Sequence, residues 1–257
     1  MSDSCTTKKD GHVLTVTINR PEALNALRPE DSDALAKAFD DFQADPDLWV
    51  AILTGAGDRS FCTGDDLKFL AGGGKLTAPP SGFGGMTTRF DLNKPLIAAV
   101  NGYAMGGGFE IALACDIVVA SEKAIFALPE VHVGLAAMGG GMHRLPRQIG
   151  LKSAMGILLT GRNVSAKEGA ELGFVNEVAS PDKLMDTARR WADDILKNAP
   201  LSVFASKESA LHGLDHASVQ EAMSASYPAL KTMLSSEDAQ EGPKAFAEKR
   251  APQWKGR

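Results

Sequence analysis

The chain has 257 residues, of which 44% are hydrophobic and 23% charged, as is typical of a globular protein with a substantial core. Its 27 Lys and Arg residues and 32 Asp and Glu residues leave a net charge of −5, which argues against a nucleic-acid-binding surface. The three cysteines, Cys5, Cys62 and Cys115, show neither metal-type nor disulfide spacing, so we expect no metal site and a reducing, cytoplasmic location. Residues 1–10 have no apolar signal-peptide core, and no run of about 18 apolar residues could span a membrane.

The first part of the chain predicts alternating strands and helices. Residues 13–19 alternate between apolar and polar side chains, as in a strand. Pro29 and the two acidic residues after it open a helix, which ends at residues 44–46. Residues 49–55 predict a second strand, and residues 59–67 predict a turn that leads into another helix. The apolar face of the first helix contains Leu35, Ala38, Phe39 and Phe42.

Residues 71–85 are rich in glycine and contain a Pro-Pro pair. This composition predicts a mobile loop. A lid over a ligand site and a disordered spacer fit it equally well.

The segment of residues 94–110 is the most informative in the chain. A continuous apolar run at residues 96–100 predicts a buried strand, and Asn101-Gly102 predicts a turn. Three consecutive glycines at 106–108 precede an apolar helix that contains Glu110. The first N–H groups of such a helix lack intrahelical acceptors, and its dipole favours a negatively charged ligand oxygen. The segment therefore predicts an anion-stabilising turn with a carboxylate beside it.

Glu130 is a second candidate carboxylate, because it follows a short apolar segment and Pro129. Two glutamates in apolar surroundings beside an oxyanion-type site would form an acid/base pair. From the spacing alone, two solvated or capping glutamates on the surface are the more common arrangement.

The second half of the chain becomes helical. Residues 116–120 predict a strand, residues 142–149 a helix after a second glycine cluster, and Ser165 with Glu168 a capping box. From residue 181 onward the apolar residues recur at helical spacing. The predicted helices there are 184–195, 201–211, 219–234 and 236–249, with a break at Pro200.

A set of short motifs occurs in order along the chain. The motifs are RPEALNAL at 20–27, FCTGDDL at 61–67, NGYAMGGGFE at 101–110, CD at 115–116, LPE at 128–130, LTGR at 159–162 and EGPKAFAEKR at 241–250. Each motif is weak by itself, but the ordered set resembles the crotonase (enoyl-CoA hydratase/isomerase) superfamily. The resemblance implies an α/β fold, a spiral of ββα units over residues 1–195, with an all-helical trimerisation region over residues 196–257.

The resemblance also implies which residues act. The backbone N–H groups of Asp65 and Gly107 would form an oxyanion hole for a thioester, and Glu110 and Glu130 would hold a water molecule. The substrate would carry coenzyme A, with no tightly bound cofactor, and the protein would be a homotrimer or a dimer of trimers. Candidate residues for binding the acyl-CoA are Ala23, Ala26, Asp65, Asp66, Leu67 and Met138, with Phe246 and Lys249 lent across a subunit boundary.

Because both glutamates are present, the sequence favours reversible hydration of a 2-enoyl-CoA in fatty acid metabolism. Within the family, a dehydratase of the carnitinyl-CoA type and an enoyl-CoA isomerase remain alternatives. A catalytically silent acyl-CoA-binding or RNA-binding module is the alternative outside catalysis. Two departures affect the acyl substrate: Met138 stands where the family has a glycine that helps to seat the water, and Asp65 adds a charge where the family commonly has a small or apolar residue.

Overall fold

The computed structural model describes residues 4–257 as strands and helices arranged in two sheets with surrounding helices. The strands are β1 Cys5–Asp10, β2 Val13–Ile18, β3 Val50–Gly55, β4 Ser60–Cys62, β5 Leu96–Val100, β6 Tyr103–Met105, β7 Ile117–Ser121, β8 Ile125–Ala127, β9 Val164–Ser165 and β10 Glu177–Ala179. The helices are α1 Pro29–Ala44, α2 Leu67–Ala71, α3 Gly107–Ala114, α4 Gly141–Ile149, α5 Leu151–Leu158, α6 Ala166–Leu172, α7 Leu184–Leu196, α8 Pro200–Gly213, α9 Val219–Ser224, α10 Pro228–Leu234 and α11 Glu237–Glu248. Short 3₁₀ turns lie at Pro21–Ala23, Phe83–Gly85 and Pro129–Val133.

The chain passes repeatedly from one sheet to the other. The larger sheet has the order β1-β2-β3-β5-β7-β10, and the smaller sheet has the order β4-β6-β8-β9. Each pair of consecutive strands β3–β4, β5–β6 and β7–β8 therefore contributes one strand to each sheet before the next helical segment. The strand pairing is parallel except for the β1–β2 and β8–β9 pairs. This arrangement is the spiral of ββα units that the resemblance implies.

Burial of apolar side chains on both faces stabilises the larger sheet. The central strands β3 and β5 are buried along their whole length, as continuous apolar runs in parallel strands require. In β2 the side chains alternate: Val13 packs with α7 on one face, and Leu14, Val16 and Ile18 join the main core on the other. Within that core, the rings of Phe109, Phe126 and Phe174 pack with centroids 5.0–5.1 Å apart. Phe109 belongs to α3, so this packing holds α3 within the core.

The C-terminal helices α8 to α11 form the all-helical end of the chain. Glu208 of α8 accepts hydrogen bonds from Asn93 and from the backbone N–H of Ala229, and Lys207 pairs with Asp116. These contacts attach α8 to the α/β part, and α10 packs on α8. The division into units at 195/196 and the role of the helices in trimerisation stay predictions. Among the described residues, no helix has both the length and the apolar composition needed to cross a bilayer.

The structure corrects several expectations about individual elements. The helix expected over 219–234 is two helices, because Pro228 lacks an N–H and starts α10 as its first residue. Pro200 in the same way begins α8. Strand β1, helix α5 and the short strands β4, β6, β8, β9 and β10 were not predicted. The five short strands have two or three residues each and carry little periodic signal, and β1 (CTTKKD) has no alternation of apolar and polar side chains.

The end of the glycine-rich segment is ordered, so a disordered spacer is wrong for residues 82–85. The Gly84 N–H donates to Ser32 Oγ of α1 at 3.2 Å. Gly85 lies so close to α1 that an ideal Cβ on it would be 2.4 Å from the backbone nitrogen of Ala36. The segment thus passes over α1 toward the start of α3, where Phe83 meets Gly107.

Candidate active site

The start of α3 is shaped by glycine. Gly106 has φ 54°, a left-handed conformation that turns the chain from β6 into the helix, and the helix begins at Gly107. An ideal Cβ on Gly107 would lie 2.4 Å from Cε1 of Phe83, so only glycine fits beneath that ring. The N–H groups of the first helical turn have no partner four residues earlier. The Gly107 N–H therefore has no intrahelical acceptor at the positive end of α3, and its part in an oxyanion hole stays a prediction.

A second turn abuts the first. Leu27 and Asp65 form an isolated bridge in which the Leu27 N–H donates to the Gly64 carbonyl at 2.8 Å and the Asp66 N–H donates to the Leu27 carbonyl at 2.9 Å. This pattern leaves the Asp65 N–H outside the bridge. An ideal Cβ on Gly64 would lie 3.2 Å from the backbone nitrogen of Gly107. The structure thus brings Asp65 and Gly107, which are far apart in sequence, to one place.

Glu110 lies on the first turn of α3, with 4% of its surface exposed. Its Oε1 accepts a hydrogen bond of 2.8 Å from the backbone N–H of Gly141 at the start of α4. Burial raises the pKa of Glu110 to about 7, and the nearby charges of Glu130 and Asp65 add to the increase. A group with this pKa exchanges a proton readily at neutral pH.

Glu130 lies on the 3₁₀ turn that follows β8. The turn comes next to α3 because the Gly106 N–H donates to the Ala127 carbonyl at 2.9 Å. Glu130 Oε1 lies close to Gly106, at 3.2 Å from the place where an ideal Cβ on Gly106 would be. Glu130 Oε2 is buried and has no hydrogen-bond partner in the described part of the chain. Burial and the charge of Asp65 raise the pKa of Glu130. A buried, unpartnered carboxylate oxygen is costly unless a water or a substrate group binds to it.

Asp65 is a third carboxyl group of the site. Its negative charge raises the pKa of both Glu110 and Glu130. Burial raises the pKa of Asp65 itself to about 6. We call Asp65, Glu110 and Glu130 together the acid cluster. Over residues 4–257 no group of three His, Cys, Asp or Glu side chains is placed to hold a metal ion.

The candidate CoA-binding residues near the N-terminus are assembled around Asp66. Its carboxylate accepts hydrogen bonds from Arg20 at 3.1 Å, from Arg28 at 3.0 Å and from the N–H of Phe69, and so caps α2. Arg20 also donates a hydrogen bond to the Ala26 carbonyl. Through its bonds to Ala26 and Asp66, Arg20 connects the segment that contains Ala23 to the start of α2, where Leu67 lies. The side chain of Asp66 is therefore committed to the protein, whereas Leu67 is 53% exposed at the start of α2.

The remaining predicted residues lie in different environments. Met138 is 70% exposed and directly precedes the glycine turn beside Glu110. Phe246 is 88% exposed on α11, and Lys249 ends that helix with φ 54°. Helix α11 packs against α10 and against the C-terminal residues 250–257. Within the described chain, these contacts therefore do not join Phe246 and Lys249 to the acid cluster.

Arg144 is a further residue of the site, and sequence reasoning did not single it out. It is half-buried on α4 and donates hydrogen bonds to the Thr87 carbonyl at 2.9 Å and to the Gly139 carbonyl at 3.5 Å. Its positive charge interacts with the carboxylate of Glu110. Its guanidinium carbon lies 5.4 Å from the centre of the Phe90 ring. The only local signal was a basic residue shortly after a glycine cluster, which does not distinguish it from Arg147.

Comparisons with known proteins identify the family and the fold of this chain. The family described as "Enoyl-CoA hydratase/isomerase" matches residues 8–257. A protein of Salmonella arizonae named "Carnitinyl-CoA dehydratase" is 46% identical over 262 residues, which cover 100% of both chains. The crystal structure of an enoyl-CoA hydratase from Mycobacterium marinum superposes with TM-score 0.92 and 43% identity over 99% of each chain. That of a carnitinyl-CoA hydratase from Mycobacterium avium does so with TM-score 0.79 and 41% identity over 100% of each chain.

Proposed function

Since the chain belongs to the enoyl-CoA hydratase/isomerase family, we propose that it adds water reversibly to a 2-enoyl-CoA thioester to give a 3-hydroxyacyl-CoA. The observation that carries this proposal is the pair Glu110 and Glu130, both with raised pKa values, with the buried Oε2 of Glu130 unpartnered among the described residues. A water molecule between the two carboxyl groups supplies that missing partner.

The thioester oxygen lies between the N–H groups of Asp65 and Gly107. Water oxygen attacks C3, and the electron pair of the C2–C3 double bond moves toward the thioester oxygen, which becomes an enolate oxygen. The two donors and the positive end of α3 stabilise that charge, and one such donor lowers the barrier by about 3 kcal/mol.

One glutamate takes a proton from the attacking water, and the other delivers a proton to C2. Together the two steps add the elements of water across the double bond. Two close, buried carboxyl groups do not easily ionise together, so at neutral pH the pair retains one proton. The raised pKa of Glu110, about 7, supports this sharing. In the reverse direction the same groups exchange roles.

For coenzyme A we propose binding by the main chain around Ala23, Ala26, Asp66 and Leu67. Phe246 and Lys249 act from a neighbouring subunit in a homotrimer or a dimer of trimers. The exposure of Phe246 on α11 supports such a role between subunits. Met138 borders the acyl pocket and changes its shape, because a methionine is longer and more flexible than the glycine of related enzymes.

Dehydration of a 3-hydroxyacyl-CoA is the second candidate activity. It is favoured by the full-length relatives named carnitinyl-CoA dehydratase, at 45–46% identity. The same acid/base pair serves it in reverse. An isomerase needs only one acid/base group, and a silent binding module needs neither, so the paired glutamates argue against both.

The test is the hydration of crotonyl-CoA by wild type, Glu110→Gln and Glu130→Gln. It is followed by loss of the conjugated enoyl-thioester absorbance and by the mass of the product, which gains one water. Each substitution should lower kcat by about 10²- to 10⁴-fold. Glu171→Gln, at an exposed position of α6, is the matched control and should retain wild-type activity. Full activity in both active-site variants, or a product of unchanged mass, would contradict the proposal.

A further inference from the structure

The motif LTGR at residues 159–162 forms a loop directly after α5, which we call the LTGR loop. At its centre the Gly161 N–H donates to the carbonyl of Ile157, a fully buried residue of α5, at 2.8 Å. At its end Arg162 donates two hydrogen bonds, of 2.6 and 3.1 Å, to the carboxylate of Glu168 on α6. The loop is thus fixed to two helices, so the carbonyl groups that it exposes have defined positions.

The turn that carries Glu130 is not anchored by buried side chains. We call residues 129–135 the Glu130 turn. Its 3₁₀ part contains no buried residue, so side-chain burial does not fix its position. Inside the turn, the N–H groups of Gly134 and Leu135 both donate to the Glu130 carbonyl. These bonds determine the shape of the turn but not its place on the protein.

The LTGR loop supplies an anchor for the Glu130 turn. Nε2 of His132 donates a 2.8 Å hydrogen bond to the Thr160 carbonyl. Among the described residues, this is the hydrogen bond that joins the turn to a part of the chain distant in sequence. Gly161 lies against the same ring, since an ideal Cβ on it would be 2.9 Å from Nε2 of His132 and 3.1 Å from Cα of Pro129. The two surfaces therefore fit closely because residue 161 has no side chain.

We propose that His132 and Gly161 are positioning residues, which hold Glu130 in place for proton transfer by fixing the Glu130 turn to the LTGR loop. This inference rests on the proposed function, in which Glu130 exchanges a proton with water or with C2. Such a transfer requires heavy atoms within about 2.6–3.2 Å of each other. A turn displaced by about 1 Å takes the carboxyl group out of that range, which can cost about 10²-fold in rate.

The experiment compares two substitutions of His132 in the hydration of crotonyl-CoA. His132→Leu removes the donor, and kcat should fall by about 10-fold or more with little change in KM, because the proposed coenzyme A site is untouched. His132→Gln keeps an N–H donor for the Thr160 carbonyl and should retain most of the wild-type kcat. His216→Leu, at an exposed position between α8 and α9, is the matched control and should be fully active.

A glycine pair tests the contact beneath the ring. Gly161→Ala places a methyl group against His132 and Pro129, and kcat should fall by about 10-fold or more. Gly173→Ala is the matched control: Gly173 also has a positive φ, of 100°, but nothing lies within 4 Å of its ideal Cβ. It introduces similar backbone strain without the clash and should leave kcat unchanged.

A double substitution separates positioning from general damage to the fold. In the Glu130→Gln background, His132→Leu should lower kcat by less than about 2-fold, because the group that it positions is already absent. A larger loss in that background would overturn the proposal. So would wild-type kcat in His132→Leu, while hydration that depends on Glu130 would leave the proposed function intact.

Hydrogen exchange of the backbone amides of residues 129–135, measured by mass spectrometry, tests the anchor without any activity. Exchange should be faster in His132→Leu and Gly161→Ala than in wild type, and unchanged in His132→Gln and Gly173→Ala. Equal exchange in all five proteins would overturn the proposal even if kcat falls. If wild type hydrates no enoyl-CoA, the proposed function fails, whereas faster exchange in the first two variants alone still supports the anchoring of the turn.

Discussion

The backbone N–H of Gly141 donates a 2.8 Å hydrogen bond to Oε1 of Glu110, so a glycine turn on one helix fixes a carboxyl group on another. The approach is close on the other side too, since an ideal Cβ on Gly139 would lie 2.4 Å from Oε2 of Glu110. The position of Glu110 therefore depends on the absence of side chains in the turn before α4.

We expect Gly139→Ala to lower kcat by about 10²-fold, because the added methyl group displaces the Glu110 carboxylate by a fraction of an ångström or more. The measurement is steady-state hydration of crotonyl-CoA, with circular dichroism to verify folding. Gly156→Ala on α5 is the control, since nothing lies within 4 Å of its ideal Cβ. It should leave the activity unchanged and stabilise the protein by about 0.5–1 kcal/mol. Equal losses of activity in both variants would contradict this account of the turn.

Glu110 should make stability depend on pH. Its pKa is about 7 in the folded protein and 4.5 ordinarily, so the folded state binds the proton more tightly. The resulting stabilisation is fully present below pH 4.5 and is lost as the pH rises through about 7. In Glu110→Gln the contribution of Glu110 to this dependence is removed. Relative to the variant, the free energy of unfolding of wild type should fall by up to about 3 kcal/mol from acidic to alkaline pH, as measured by urea denaturation.

The control for this titration is Glu171→Gln, which alters an exposed carboxyl group and should keep the wild-type pH dependence. Burial raises the pKa of Glu130 and of Asp65 as well, so a trend of the same sign, caused by these two groups, remains in Glu110→Gln. Parallel stability curves for wild type and Glu110→Gln would show that Glu110 is not desolvated.

Asp66→Asn should destabilise the protein by about 3 kcal/mol, because it leaves the half-buried Arg20 and Arg28 without their shared carboxylate. The measurement is the midpoint and slope of urea unfolding. Asp41→Asn is the matched control: it removes an exposed ion pair with Lys37 and should cost less than about 0.5 kcal/mol. Similar losses of unfolding free energy in both variants would indicate that the ion pairs of Asp66 with Arg20 and Arg28 are solvated.

Arg144→Met should raise the pKa of Glu110, since a facing cation stabilises the ionised carboxylate. The kinetic pH profile should then shift to higher pH, and kcat should fall because the Gly139 and Thr87 carbonyls lose a donor. The measurement is kcat against pH with crotonyl-CoA. Arg147→Met removes an exposed charge from the same helix and should leave the profile in place. A loss of activity without a shift would assign Arg144 a purely structural role.

The strand β5, the glycine cluster and the first turn of α3 were predictable from sequence, because each depends on local properties of the backbone. Ser165 caps α6 by accepting a hydrogen bond from the Glu168 N–H, as predicted for the same reason. The other half of the predicted capping box is wrong, because the Glu168 carboxylate accepts hydrogen bonds from Arg162. The role of Glu130 as the acid/base partner of Glu110 stays a prediction from the sequence. Neither the contacts of Arg144 nor the close contact between Gly139 and Glu110 had a signal in the local sequence, because only tertiary packing brings these residues together.

The sequence by itself determined the family, the order of the principal strands and helices, and the candidate carboxyl groups, because periodicity, glycine and proline act over a few residues. Only the tertiary structure decided that Asp66 is neutralised whereas its neighbour Asp65 is left without a counter-charge. The two residues are chemically identical and adjacent in the chain. Their difference comes from burial and from side chains far away in sequence, since desolvation and charge pairing depend on distances in three dimensions.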